Sequence, residues 1–549
     1  MKIALAQLNY HIGNFEYNFN KIKTCIEKAR SSKTDLVVFS EMSVCGYPPL
    51  DLLENRDFIE KVNLYIGKIA ELCTDVAAII GAPVINPDNK GKKLFNAALF
   101  LYGGKILGKQ FKTLLPTYDI FDEYRYFEPN SVFKTISFKG ERIALTICED
   151  LWDDQPVENS FARSKLYGIS PMEELEKSKP SLIINIASSP FSCRQENVRE
   201  SVLIGNVKKY KIPLVYVNQV GANTELIFDG GSMIINKDGN IINKLKLFEE
   251  DFVKIDLNQH DIQKKPDTQT GAYIEKIYQA LALGIRDYFF KAGFEKAILG
   301  LSGGIDSAVT LVLACKALGN ENVRVLLLPS KFSSQHSVDD ASKLAENLGV
   351  KYEIISIQDT VDSANALLKP VFRGMPENIT EENIQARIRG VILMALSNKF
   401  GNILLNTSNK SEIACGYGTL YGDMCGGLSV IGDVYKTDVY KLAEYINKEK
   451  EIIPLNTIQK PPSAELKPDQ KDSDSLPVYE ILDQILYRYI ELKESVSEIV
   501  DSGFDIETVL KTIRLVDVNE YKRFQSPPVL RVSSKAFGIG RRIPLVAKY

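Results

Sequence analysis

Ala297-Ile298-Leu299-Gly300-Leu301-Ser302-Gly303-Gly304-Ile305-Asp306-Ser307 runs from an apolar segment through a glycine loop into a helix-compatible stretch, Ser307 to Leu318. Strand, loop and helix in that order aim backbone amides at an anion. A helix start carries unsatisfied N–H groups and the positive end of the dipole, and two glycines remove side chains that would hold an anion away. The natural guest is a nucleoside triphosphate.

A Walker loop would place lysine after its second glycine, to reach the β- and γ-phosphates. Here the glycines are followed by Asp306 and Ser307. An acid beside phosphate implies a bridging cation. Ser302 to Ser307 in this context resembles the loop of the PP-loop ATP pyrophosphatases, which cleave ATP between its α- and β-phosphates to adenylate a substrate.

Outward from the loop, the pattern predicts a helix over Tyr273 to Lys291, strands at Val323 to Leu328, Tyr352 to Ile355 and Ile403 to Asn406, and helices around Val338 to Leu348 and Ile384 to Phe400. Alternating β and α elements predict a parallel, Rossmann-like sheet with its ligand at the carboxyl ends of the strands, where strand order switches. Lys460 to Pro477, rich in proline, lysine, aspartate and serine, reads either as a lid over substrate or as a flexible surface loop.

With 549 residues the chain exceeds the roughly 250–300 at which a single core stops growing. Residues 1–256 alternate again, with short β-rich runs at Ile3 to Leu8, Leu36 to Phe39, Ala77 to Ile80, Ala97 to Leu101, Ile143 to Ile147, Leu182 to Asn185 and Leu214 to Val217. A second α/β domain follows from this. We divide the chain into a domain at 1–257, a polar, proline-containing linker at 258–270 and the loop-bearing domain at 271–549.

A formal charge of −3 with 45% hydrophobic and 25% charged residues fits a globular enzyme and argues against nucleic-acid binding through bulk charge. No secretory signal pattern opens the sequence, and no run approaches the roughly 18 apolar residues of a membrane span. The eight cysteines form no CxxC pair, which fits reduced thiols in a cytoplasm. Only His11, His260 and His336 occur, so a Cys-His pair or a histidine-rich zinc site has little to draw on.

Three patches at the ends of expected strands each hold one reactive side chain. They are Phe39-Ser40-Glu41-Met42 before Cys45-Gly46-Tyr47-Pro48-Pro49, Gly108-Lys109-Gln110-Phe111-Lys112-Thr113, and Thr146-Ile147-Cys148-Glu149-Asp150-Leu151-Trp152. Amide cleavage needs a nucleophile, a proton carrier and a cation facing the oxyanion. With histidine scarce, Glu41 is the available base, Lys112 the cation and Cys148 the nucleophile. This trio resembles the catalytic triad of the nitrilase superfamily, which implies an α-β-β-α sandwich over residues 1–256. The resemblance further implies substrate contacts from Tyr118, Glu123 and Glu149, and from either Ser188 or Ser189 and either Arg194 or Arg199, since the spacing there allows slippage. The other seven cysteines read as small buried hydrophobes.

Beyond the glycine loop, Leu328-Pro329-Ser330-Lys331-Phe332-Ser333-Ser334, Gln385-Ala386-Arg387-Ile388-Arg389-Gly390, Asn406-Thr407-Ser408-Asn409-Lys410-Ser411-Glu412 and Gly418-Thr419-Leu420-Tyr421-Gly422-Asp423 resemble the NAD synthetase family. That resemblance implies that Ser302, Gly303, Gly304 and Ser307 hold pyrophosphate, that Asp306 and Glu412 hold Mg²⁺, that Thr407, Lys436 and Ser463 contact ATP, and that Arg387, Asp423 and Lys535 contact the dinucleotide. Taken as a whole, the sequence is similar to the glutamine-dependent members of that family. Glutamine would be hydrolysed at one site, and its ammonia would amidate an adenylated nicotinic acid adenine dinucleotide at the other, through an enclosed path because free ammonia protonates at neutral pH. Self-assembly into a homo-oligomer is expected as well. The rival readings are another PP-loop amidotransferase, or a non-catalytic nitrilase-like scaffold that binds nucleotide.

Overall fold

The computed structural model describes residues 1–154, 165–257, 273–468, 470–474 and 476–547, and the chain divides into two compact units, Met1–Thr270 and Gly271–Tyr549. The expected linker, 258–270, lies outside the described residues.

In the first unit, β1 (Lys2–Gln7), β2 (Leu36–Val38), β3 (Ala77–Ile85), β4 (Leu94–Tyr102) and β5 (Lys105–Phe111) build most of one sheet. The second sheet holds β6 (Ile136–Phe138), β7 (Glu141–Ile147), β8 (Leu182–Ala187) and β9 (Leu214–Asn218). After the ribbon β10 (Val220–Asn223) and β11 (Leu226–Asp229), strands β12 (Met233–Ile235) and β13 (Ile241–Lys244) extend the second sheet, and β14 (Asp251–Asp256) returns to the edge of the first. The strand orders are β14-β1-β2-β3-β4-β5 and β13-β12-β9-β8-β7-β6.

Alternation along single strands fixes the layers. On β1, Ala4 and Ala6 pack with Ile22 and Ile26 of α1 (Phe15–Ser31) and Val62 and Ile66 of α2 (Arg56–Leu72). Their neighbours Ile3 and Leu5 point the other way, into a core shared with Ile143, Leu145, Ile184 and Val215 of the second sheet. The far face of that sheet, with Ala144, Ile183 and Leu214, is covered by Met172 and Leu175 of α4 (Pro171–Glu176) and Leu203 and Val207 of α5 (Gln195–Tyr210), while α3 (Glu123–Tyr126) sits in the loop after β5. Three apolar interfaces between helix, sheet, sheet and helix make the expected four-layer sandwich. Strands buried on both faces read as continuous apolar runs, which is why most were visible in the sequence.

Gly81 on β3 has a steric task. A Cβ there would stand 2.3 Å from Met42 N and 2.6 Å from Glu41 Cα, which are backbone positions with no room to yield. Gly81→Ala is therefore expected to cost about 1–3 kcal/mol of stability and to displace Glu41. Calorimetry together with a crystal structure of the variant would register both effects.

The second unit starts with α6 (Tyr273–Ala292) and continues through β15 (Ala297–Gly300), α7 (Ile305–Leu318), β16 (Val323–Leu327), α8 (Gln335–Leu348), β17 (Lys351–Ile354), α9 (Gln358–Phe372), α10 (Ile379–Phe400), β18 (Ile403–Asn406), α11 (Lys410–Cys415), β19 (Leu428–Ser429) and α12 (Lys436–Ile446). Every strand pair is parallel, in the order β17-β16-β15-β18-β19. The chain leaves β15 toward β16 on one side and later enters β18 on the other, so the switch point lies between β15 and β18, beside Ser302 and Thr407. Helices α8 and α10 begin earlier than the apolar pattern indicates. Polar first turns are held there by the Ser334 cap, which accepts from Ser337 N, and by a capping box between Asn378 and Glu381. No described helix is long and apolar enough to cross a membrane.

Candidate active sites

The amidase side chains stand at one edge of the sandwich. Glu41 follows β2, Lys112 follows β5, Cys148 follows β7 and Ser188 follows β8. Since β3 pairs parallel to β2 and antiparallel to β4, which pairs antiparallel to β5, strands β2 and β5 end on the same side. Lys112, fully buried, places its ammonium 2.9 Å from Glu41 Oε1 and 2.8 Å from Glu123 Oε1. Burial alone would lower its pKa, but Glu123 and Glu41 hold it well above the usual lysine range. Lys112 is a fixed cation here, suited to an oxyanion and unsuited to act as a base.

Glu41 Oε1 also accepts from Asn96 Nδ2 at 2.7 Å, and Oε2 accepts from the Ser188 amide at 2.9 Å. Ser188 Oγ donates to the Glu41 carbonyl. Ser189 instead ties its amide to Asn218 Oδ1, so of the two serines Ser188 is the one on the Glu41 carboxylate. Cys148 opens a short turn with φ +44°, the strained left-handed region for a non-glycine residue. Burial first, and then Glu41, raise its thiol pKa well above the usual value while Lys112 opposes them. The resting group is therefore a thiol, and attack requires its proton to be taken.

Asp150, two residues on, accepts from the amides of Thr113 and Leu114 at 2.9 Å each and from Ile147 at 3.1 Å. It thereby laces the Lys112 segment to the nucleophile turn. Glu123, expected at the substrate, sits on Lys112 and accepts from Tyr47 OH at 2.9 Å; burial raises its pKa to about 7. Glu149 accepts from Tyr118 OH at 2.7 Å and from Tyr167 OH at 2.9 Å. Both tyrosines line a 350 Å³ pocket with Leu115, Thr117 and Leu166, a space for a small substrate. Arg199 is consumed by a buried bidentate pair with Asp229, at 3.0 and 2.6 Å, whereas Arg194 is exposed at the start of α5. The Arg199 guanidinium is thus committed within the fold.

In the second unit a 440 Å³ cleft opens at the switch point. It is lined by Ser302, Gly304, Asp306 and Ser307 and floored by Leu326 to Pro329; Thr407, Lys436, Ser463 and Asp423 also face it. Gly303, with φ +79°, makes the turn possible, because a Cβ there would lie 2.2 Å from the Ser337 carbonyl oxygen. Ser307 Oγ is shared between the Ser302 amide at 3.3 Å and the Gly304 carbonyl at 3.0 Å, which closes the loop on itself.

Asp306 accepts from Asn409 Nδ2 at 2.9 Å and pairs with Lys436, whose ammonium also lies 3.5 Å from Glu412. Lys436 is thus a buried helix-start cation between the two acids. Burial works against its charge, and Asp306 and Glu412 more than offset this. Burial and the nearby Asp306 push Glu412 up to about 8. Part of Lys460 to Pro477 runs along the cleft, with Pro461, Pro462, Ser463 and Glu465 on its wall, and Glu465 accepts from the Ser334 and Ser337 hydroxyls.

Two expected dinucleotide contacts stand away from this cleft. Arg387 is exposed and donates to the Leu420 carbonyl, and Lys535 lies on the C-terminal segment, its carbonyl accepting from buried Lys410. The arginine that lines the cleft is Arg389. Its Nε donates to the Leu328 carbonyl at 3.0 Å, it has no carboxylate within ion-pair distance among the described residues, and burial disfavours its charge. Such a guanidinium is poised for an anionic or hydrogen-bond-accepting ligand. Arg389→Ala is expected to raise KM for a cleft substrate by roughly 10- to 100-fold, the worth of a charged hydrogen bond, and Arg387→Ala to do less. Steady-state kinetics with ammonium as nitrogen source would compare the two.

A buried Glu-Lys-Cys amidase and an SGGxDS phosphate cradle on one chain define a nitrilase-type amidase joined to an ATP pyrophosphatase. Comparison with known proteins narrows this class. The carbon-nitrogen hydrolase family matches residues 2–157 and the NAD synthase family residues 277–526. The glutamine-dependent NAD(+) synthetase of Synechocystis sp. is 45% identical over 554 residues, spanning 100% of this chain and 99% of its own length. That of Thermotoga maritima is 40% identical over 585 residues, spanning 100% and 99%. The solved glutamine-dependent NAD+ synthetase of Acinetobacter baumannii, in complex with ADP, is 38% identical with a TM-score of 0.78, covering 99% of this chain and 98% of its own. The chain belongs to the glutamine-dependent NAD(+) synthetase family.

Proposed function

We propose that the first unit releases ammonia from glutamine and the second uses it to amidate nicotinic acid adenine dinucleotide at the expense of ATP, giving NAD, AMP, pyrophosphate and glutamate. The observation that carries the reading is the presence on one chain of two complete, chemically complementary sites. In the first, Glu41 takes the Cys148 proton, the sulfur attacks the amide carbon beside the Lys112 ammonium, and the proton passes to the departing ammonia. Water then resolves the thioester. Tyr118, Glu149, Ser188 and Arg194 hold the glutamine.

In the second site the dinucleotide carboxylate attacks the α-phosphorus of ATP, because a carboxylate presents no leaving group to ammonia until it is esterified. Ammonia then displaces AMP. The loop from Ser302 to Ser307 cradles pyrophosphate, and Thr407 and Ser463 contact ATP. The ADP bound to the Acinetobacter baumannii relative supports a nucleotide in this cleft. Asp306 and Glu412 fit a divalent cation, since two half-buried acids converge on a point where, among the described residues, Lys436 is the cation paired with them. Mg²⁺ would be held there by Asp306 and Glu412 and would supply charge neutralisation for phosphate. Among the described residues no group of three or more acids, histidines and cysteines forms there. Lys436 is then free to turn to phosphate.

Exposed Leu367, Val371, Met375, Ile379 and Val391 on and between α9 and α10 support self-association; of the expected dinucleotide contacts Asp423 lines the cleft, and Arg389 takes there the place expected for Arg387, while Lys535 stands away from it. Eight free cysteines suit a reducing cytoplasm. Incubation with ATP, Mg²⁺, glutamine and nicotinic acid adenine dinucleotide, omitting one component at a time, tests the reading: NAD, AMP and pyrophosphate should appear only in the complete mixture or with ammonium replacing glutamine.

A further inference from the structure

Asn96 lies on β4, 1% exposed, between the two charged members of the amidase site. Its backbone carbonyl accepts the Lys112 amide at 2.8 Å, and its side-chain amide donates to Glu41 Oε1 at 2.7 Å. One residue thereby fixes the segment bearing the cation and the orientation of the base. The two oxygens of Glu41 are consequently unequal. Among the described residues Oε1 receives two donors, Asn96 Nδ2 and Lys112 Nζ, whereas Oε2 receives one, the Ser188 amide. A carboxylate oxygen offers about two lone-pair directions, so the vacancy is on Oε2.

The orientation of the Asn96 amide points the same way. Its Oδ1 is buried without a hydrogen-bond partner among the described residues, so the partner that sets the amide's orientation is Glu41. Turning would set Oδ1 against Glu41 Oε1, acceptor against acceptor. The amide is held in the orientation that donates to Glu41.

We propose that Asn96 is a positioning residue that assigns the two oxygens of Glu41 different work, saturating Oε1 so that Oε2 alone exchanges protons with Cys148 and with the leaving ammonia. This rests on the amidase reading above. The Cys148 S–H bond breaks as Oε2–H forms, the C–S bond forms, and the C–N bond breaks as Oε2 returns its proton to nitrogen. The charged or titratable groups that face Glu41 are Lys112 after β5, Glu123 on α3, Tyr47 in the loop before α2, and Cys148 and Glu149 after β7.

The test follows the full chain and its Asn96→Leu and Asn96→Asp variants across pH, with thermal unfolding as the fold control. Two rates are read, kcat/KM for glutamine and alkylation of Cys148 by iodoacetamide, scored on the Cys148 peptide by mass. Loss of one charge-assisted donor should move the acid limb of both profiles up by about one pH unit in Asn96→Leu, and a carboxyl beside Oε1 should move it further in Asn96→Asp. Asn96→Asp is isosteric and reads the same limb if the leucine variant does not fold. A uniform fall in rate with the limb unmoved, or wild-type profiles in both variants, would overturn the proposal. The alkylation arm keeps the outcomes separate, because a wild-type chain that alkylates with a shifted limb in the variants yet hydrolyses no glutamine would sink the substrate reading alone.

Discussion

Replacement of Cys148 by alanine is expected to lower glutamine hydrolysis by on the order of 10⁴- to 10⁶-fold and to abolish glutamine-dependent synthesis, while amidation from added ammonium continues. The size follows from the site. Glu41, Lys112, Ser188 and Glu123 are arranged around a nucleophile and supply no substitute for one, since the carboxylates are engaged with Lys112 and the lysine is held charged. The selectivity follows from the phosphate cradle, which belongs to the other unit and needs nitrogen only as ammonia. Glutamate release and NAD formation, each measured with glutamine and with ammonium chloride, check the prediction.

Asp306→Ala should be the mirror image, removing synthesis from either nitrogen source by roughly 10²- to 10⁴-fold, the several kcal/mol that charge neutralisation at a transferring phosphoryl group supplies. Asp306 holds Asn409, which caps the helix bearing Glu412, and balances Lys436. Without it Glu412 loses the like charge that helps to raise its pKa, and Lys436 falls to Glu412 alone. The cleft would keep its shape and lose half of its acid pair. Initial rates at saturating ammonium, read as AMP formed, separate this from the Cys148 variant.

Much of this was legible in the sequence because buried parallel strands are continuous apolar runs ending at functional loops. The β18 run from Ile403 to Asn406 and the turn from Ser302 to Ser307 are examples, as are the strand-end positions of Glu41 and Cys148. What escaped has physical reasons. Strand β5, Lys-Ile-Leu-Gly-Lys-Gln-Phe, is a sheet edge with exposed lysines and a glycine, so it lacks the pattern of burial. Strands β10 to β13 are short antiparallel strands paired with near neighbours, and β14 pairs with distant β1, so none is a long apolar run before a functional loop.

Arg387 and Arg389 are two residues apart on a helix and so point to different faces, and nothing in Gln-Ala-Arg-Ile-Arg-Gly says which face meets the cleft. Asn96 and Asp150 act through hydrogen bonds to segments far along the chain, a relation that no local motif encodes. Glu123 carried a signal, an acid in a loop following the lysine, but the signal fitted a substrate contact as well as the ion pair it makes.

The account's central claim, that nitrogen freed at Cys148 enters the product made at the phosphate cradle, is tested most directly with glutamine labelled with ¹⁵N in the side-chain amide. Given ATP, Mg²⁺ and nicotinic acid adenine dinucleotide, the chain should yield NAD carrying ¹⁵N in its carboxamide, with AMP formed mole for mole. Labelled ammonium and glutamate accumulating beside unamidated dinucleotide, or ADP in place of AMP, would contradict it.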